Sequence, residues 1–147
     1  MATVRLISDA EAGPQVAAVF ADIRKTRGTD FINNFWRALA ADPAALERTW
    51  AEVKAVMAAP GSLDPLTREM IYIAVSVANG CSYCVHSHTA AARAKGMSEA
   101  QYGELLSVIG LAAKTNHLVT ALQVPVDPQF DMSTRRPIGF ASSPEHA

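Results

Sequence analysis

Apolar residues recur at helical spacing along most of the chain, and helix start and stop signals punctuate the runs. Ser8-Asp9-Ala10-Glu11 fits a capping box at a helix start. Pro14 then suits the first turn of a helix running to about Thr26, with Gly28 as its stop. Thr29 or Asp30 can cap a second helix through about Ala40. Asp42-Pro43, an N-cap followed by a proline in the first turn, opens a third to about Ala59, ended by Pro60-Gly61. Asp64-Pro65 repeats that start for a fourth helix, which Asn79-Gly80 terminates. A fifth runs from Cys81 to Lys95, with Gly96 past its end. Ser98-x-x-Gln101 is another capping box, and apolar positions continue through Leu122 as one helix or as a short and a long one; Gly110 does not decide. Pro125 and Pro128 stop helical structure, which makes residues 128–147 an extended or disordered arm. The pattern predicts an all-α domain over residues 1–127, a compact bundle of about six or seven helices with a central helical hairpin.

One segment resists this reading. Met70-Ile71-Tyr72-Ile73-Ala74-Val75-Ser76-Val77 has the β-branched content of a buried strand. Followed by Cys81-x-x-Cys84 and a helix, it would make a thioredoxin-like βα unit. Helix is favoured on three counts. The Asp64-Pro65 start makes the segment about fifteen residues, long for a strand. The chain offers no good partner strands, and Ser82-Tyr83 replaces the Gly-Pro usual between thioredoxin cysteines. A helix apolar on nearly all sides belongs at the centre of the fold or in a subunit interface.

Composition narrows the class. Of 147 residues, half are apolar and 18% charged, too apolar for disorder and long enough for a real core. The net charge of −1 gives no basic field for nucleic acid or an anionic membrane surface, and Arg135-Arg136 is too short to supply one. No apolar run reaches the roughly 18 residues of a membrane span, and the N-terminus lacks the apolar stretch of a signal peptide. These features predict a cytoplasmic protein. Two closely spaced cysteines in such a chain point to redox or metal chemistry, not a disulfide framework.

The informative stretch is Glu69, eleven residues, Cys81-Ser82-Tyr83-Cys84, three residues, His88. On a helix, at roughly 100° per residue, Cys81, Cys84 and His88 share one narrow face. Two thiols so placed can close a disulfide, and an imidazole at i+4 can take a proton from Cys84. A first-turn position with its helix dipole favours Cys81 as the thiolate; the i+4 histidine favours Cys84. The base within hydrogen-bond reach outweighs the helix terminus, so Cys84 is the expected nucleophile and Cys81 the resolving thiol. An acid on the apolar fourth helix is expensive to bury unless paired. In a helical hairpin Glu69 can approach His88, orient the ring, and accept or return protons.

This pattern resembles the Glu-x11-Cys-x-x-Cys-x3-His signature of the alkylhydroperoxidase D-like branch of the carboxymuconolactone decarboxylase superfamily. Arg68-Glu69-Met70 through Asn79-Gly80-Cys81-Ser82-Tyr83-Cys84 to His88-Thr89 is similar to its core, and Leu118 to Asp127 to the close of peroxidase-related members. The resemblance implies an all-helical fold assembled as trimers or hexamers. It implies a thiol-dependent peroxidase in which Cys84 attacks a hydroperoxide, Cys81 resolves the sulfenic acid, and Glu69 and His88 carry protons. A thiol or dithiol reductant protein would reset the disulfide, without cofactor or metal. The best-known members carry a histidine between the cysteines. Tyr83 stands there in this chain, and tyrosine cannot replace it as a base near neutral pH.

Rival readings remain. Cys81, Cys84, His88 and Glu69 could hold Zn²⁺, although no second Cys/His pair completes a structural site. A non-redox superfamily member, or a metal-stabilised structural oligomer without turnover, is the alternative function. His86 lies roughly 140° round from Cys81 and reads as surface or interface, His117 as an interface polar residue, and Trp36 and Trp50 as core or interface aromatics.

Overall fold

A computed structural model describes residues 2–130; Arg135-Arg136 and the rest of the arm beyond Phe130 lie outside the described residues. Among those described there are six α-helices and no strand. They are α1 (Pro14–Arg27), α2 (Asn34–Leu39), α3 (Pro43–Val53), α4 (Pro65–Ala78), α5 (Ser82–Ala94) and α6 (Glu99–Ala121). The chain divides after Ser98 into two compact units.

Capping chemistry explains most boundaries. Asp42 accepts from the Ala45 N–H at 3.1 Å, and Asp64 from those of Leu66 and Thr67 at 3.0 Å each, so each aspartate satisfies free donors at a proline-led start. Gly28 closes α1 in the left-handed conformation (φ 64°), which costs a glycine little.

Several boundaries differ from the expectations. The Ser8–Glu11 box closes a separate 3₁₀ turn (Asp9–Glu11), where the Glu11 carboxylate accepts from the Ser8 N–H and hydroxyl; Gly13 precedes α1. The second helix does not begin at Thr29 or Asp30. Those residues stay in the loop, where Arg24 Nε donates to the Asp30 carbonyl and the Phe31 N–H to Thr29 Oγ1, and α2 starts after Asn33. The third helix is α-helical only to Val53 and widens into a π-helical turn over Lys54–Ala58. Cys81 is the N-cap of α5, outside its first turn. Met70–Val77 lies wholly within α4, and α6 runs unbroken through Gly110. The start of the arm is a 3₁₀ turn, Pro128–Phe130, not extended chain.

In the first unit, α1, α2 and α3 hold the apolar core: Val16, Val19, Phe20 and Ile23, Ile32, Trp36 and Ala40, Leu46 and Trp50. Trp36 and Trp50 meet edge to face at 5.4 Å between ring centroids, in the geometry aromatic pairs favour. The Trp50 indole donates to Asp22 at 2.7 Å. Of the two places its composition suggests, the centre of the fold or a subunit interface, the fourth helix does not take the first within the single chain. It pairs with α5 as a hairpin and buries Glu69, Ile73 and Ser76, while Ile71, Tyr72, Val75 and Val77 are exposed. In the second unit, α6 buries no residue, and Val108, Leu111 and Val119 are more than half exposed. No described helix is long and apolar enough to cross a membrane.

Candidate active site

The site is built on the α4–α5 hairpin. Glu69, Ile73 and Ser76 stand four and three residues apart on α4, so one stripe carries them all inward. Ser76 satisfies its hydroxyl on the Tyr72 carbonyl at 2.7 Å. Glu69 has no such local acceptor or donor and is 6% exposed, so its charge must be met across the hairpin.

It is met twice. His88 Nδ1 lies 2.7 Å from Glu69 Oε2, and Lys95 Nζ lies 2.9 Å from Oε1. Burial pushes the Glu69 carboxyl up, but the His88 and Lys95 hydrogen bonds together outweigh it and hold the group below its ordinary value. The Nδ1–H of a neutral imidazole donates to the carboxylate, which leaves Nε2 as the acceptor nitrogen. Tyr72 stacks on the His88 ring at 3.7 Å between centroids and 18° between planes, so the ring is held on an edge and a face.

Cys81 and Cys84 form a disulfide across the start of α5, with Cα atoms 5.3 Å apart. The Cys84 N–H donates to Cys81 Sγ at 3.3 Å, so the first sulfur occupies the place a serine oxygen takes at an N-cap. Both cysteines are half-buried. All four sequence-predicted residues, Glu69, Cys81, Cys84 and His88, thus sit on one hairpin, and Glu69 is paired with His88.

Tyr83, between the cysteines, points its hydroxyl away from this pair. Its oxygen accepts from the Phe35 N–H at 3.1 Å and ties α5 to the first turn of α2. His86 and His117 are exposed, and Trp36 and Trp50 are core residues. Of the four residues weighed as zinc ligands, the two sulfurs bond to each other and each Glu69 oxygen has a partner, one of them His88 Nδ1. Among the described residues no cluster of three or more His, Cys, Asp or Glu side chains is arranged to hold a metal ion.

Three residues escaped the sequence reading. Lys95 had a signal: seven residues beyond His88, it lies two turns along the stripe of Cys84 and His88. Tyr72 and Arg27 had none. The Arg27 guanidinium lies over the rings of Trp36 and Trp50 at 5.7 and 5.8 Å. Burial there lowers its pKa, while the charges of Glu69 and Tyr83 oppose the shift. Arg27 therefore adds a second cation on the Glu69 side. A separate cleft of about 640 Å³ between α1 and α3, lined by Val19, Asp22, Trp50 and Lys54 among others, includes none of these hairpin residues.

With this geometry in hand, similarity to known proteins can be placed. The carboxymuconolactone decarboxylase family model matches residues 43–127, which contain α3 to α6 and the whole hairpin site. The chain belongs to the carboxymuconolactone decarboxylase family. Within it the chain is AhpD-like. It is 69% identical to the alkylhydroperoxidase AhpD core from Rhodospirillum rubrum, with a TM-score of 0.87 over 88% of this chain and 97% of that one. It is 41% identical over 73 residues to alkyl hydroperoxide reductase AhpD of Solibacter usitatus, covering 50% of this chain and 39% of the relative. It is also 30% identical over 110 residues to (R)-2-haloacid dehalogenase of Pseudomonas putida, covering 72% of this chain and 35% of that protein. The chain thus spans well under half the length of these two curated relatives.

Proposed function

We propose that this chain is a dithiol peroxidase, or a closely related disulfide oxidoreductase, working through Cys84 and Cys81 with His88 and Glu69 as its proton machinery. The observation that carries the reading is a bonded cysteine pair at the start of a helix, one turn before a histidine locked on a buried carboxylate. Likeness to proteins named alkyl hydroperoxide reductase and alkylhydroperoxidase supports it.

In the reduced protein Cys84 gives its proton to His88 Nε2, and the thiolate attacks the distal oxygen of a hydroperoxide. The O–O bond breaks, the sulfur becomes a sulfenic acid, and the alkoxide leaves as the alcohol after taking the proton back. The Cys81 thiol then attacks the Cys84 sulfur and water departs, giving the disulfide seen between them. A dithiol donor protein returns the two electrons. The exposed apolar side chains of α4 and of α6 support assembly of several copies, a trimer or hexamer, in which those faces are covered.

The test is a thiol count on fully reduced protein before and after one equivalent of hydroperoxide. Loss of both thiols, abolished by Cys84→Ser, is expected. Thiols inert to hydroperoxide would favour the second reading, a non-redox family member, for which likeness to a haloacid dehalogenase is the supporting observation.

A further inference from the structure

Glu69 is the most buried ionisable group of the hairpin, and it has two side-chain partners at hydrogen-bond distance, an imidazole and an ammonium, where a proton relay needs only the first. Lys95 comes from the far end of α5. It is the C-cap residue, followed by Gly96 in a left-handed conformation (φ 91°) that turns the chain away. A lysine at this position ordinarily points its ammonium into water beyond the last carbonyls, where the helix dipole also favours a cation. Here the side chain reaches across to α4 and donates to Oε1 at 2.9 Å, with 37% of its surface still exposed.

We propose that Lys95 is a positioning residue of the dithiol site: its ammonium, on the oxygen that His88 leaves free, fixes Glu69 as a permanent anion, so the proton taken from Cys84 stops on His88. This rests on the function proposed above and changes one part in it. Glu69 orients and steadies the imidazole but does not carry a proton. A carboxylate with an ammonium on one oxygen and an imidazole N–H on the other has its strongest acceptor sites occupied by charge-assisted bonds. Protonating it would break one of them inside the hairpin. The groups facing the pair are few: His88 and Lys95 from α5, Tyr72 stacked on the imidazole from α4, Arg27 acting by charge from α1, and Cys84 one turn before His88. None of them is an acid that would compete with Glu69 for Lys95. Glu69 is itself held below its ordinary pKa although burial opposes this, in keeping with a fixed anion.

The experiment follows the Glu69 carboxyl carbon by NMR during acid titration of the reduced, full-length protein, assigned by comparison with Glu69→Gln. Wild type, Lys95→Gln and Lys95→Arg are compared. The Glu69 midpoint should move to higher pH in Lys95→Gln, where the ammonium no longer helps His88 to oppose burial, and return in Lys95→Arg, which restores the charge. The acid limb of Cys84 alkylation should move the same way, slowing the reaction at pH 6 by about threefold to tenfold in Lys95→Gln and less than about twofold in Lys95→Arg. An unmoved midpoint in Lys95→Gln, or a Lys95→Arg midpoint that shifts equally, overturns the proposal and reduces Lys95 to a helix-end cation. The wider reading is judged apart from this: His88→Ala alkylating as fast as wild type would remove the dithiol machinery, whereas the Glu69 midpoint judges Lys95 by itself.

Discussion

The helices α1–α3 and the hairpin α4–α5 belong to one compact unit, yet they bury opposite materials. In the first region the inward positions are apolar almost without exception, and two indoles form its centre. In the second, the inward stripe of α4 reads Glu69, Ile73, Ser76, while its outward positions Ile71, Val75 and Val77 are the apolar ones. Burial therefore follows hydrophobicity in one region and pairing in the other. A carboxylate can stand inside because a lysine pairs its charge and a histidine hydrogen-bonds it, and a serine because its own helix supplies an acceptor. The apolar region holds the core, and the paired region holds the groups to which we assign the chemistry.

The sharpest way to break this contrast is a large-to-small change in the apolar region. Leu46→Ala, at a fully buried position of α3, should cost about 2–5 kcal/mol in urea unfolding. Below its transition it should lose thiols to hydroperoxide at the wild-type rate; a slowed rate would mean that the core tunes the site. The next largest effect lies in the hairpin. Glu69→Gln and His88→Ala should each slow Cys84 alkylation about tenfold or more near neutral pH, the low end of what a positioned base supplies. The double variant should be no slower than the worse single one, since both act through one chain of contacts. Multiplying losses across a pH series would separate the two residues.

The smallest effect is a pH dependence of stability. The folded-state pKa of Glu69 is lowered, so its stabilising contribution is present above the unfolded carboxylate value and is lost as pH falls through the lower folded one. The melting-temperature advantage of wild type over Glu69→Gln should thus hold at neutral pH and shrink below about pH 4. Asp9, held down by Arg37 and Arg24, and Asp22, held down by Lys54 and Trp50, titrate in the same range but are common to both proteins and cancel. An advantage that grows on acidification would mean that Glu69 is stabilised as the neutral acid.

Local chemistry was readable from the sequence, and long-range pairing was not. The starts at Asp42 and Asp64 and the stop at Gly28 follow from side chains acting within a few residues, and each falls where expected. The placing of Cys84 and His88 one turn apart on α5 follows from helical spacing alone, while Cys81 stands just outside that helix as its N-cap. Thr29 and Asp30 misled because they are good caps that a loop also uses, through Arg24 and Phe31. The inward face of α4 was illegible to a hydrophobicity count, because two of its three buried residues, Glu69 and Ser76, are polar. Lys95 was legible in principle, on the stripe of His88, but entered the sequence reading only as the end of the fifth helix. Tyr72 and Arg27 owe their places to the hairpin and to the two indoles, which no local pattern encodes.

The loop before α4 looks like ordinary variable surface, and it is better described as a closed joint. Arg68, the neighbour of Glu69 in the chain, turns back and donates from Nη1 to the carbonyls of Val56 and Ala59 at 3.0 and 2.6 Å. Its other terminal nitrogen fills the space where a side chain at Gly61 would begin. The spacing between the π-helical turn and α4 is thereby set by one guanidinium and one missing methyl group. For protein engineering, residues 59–64 are the wrong place to graft a tag or lengthen a linker. Even Gly61→Ala must move the Arg68 guanidinium tip that closes this joint.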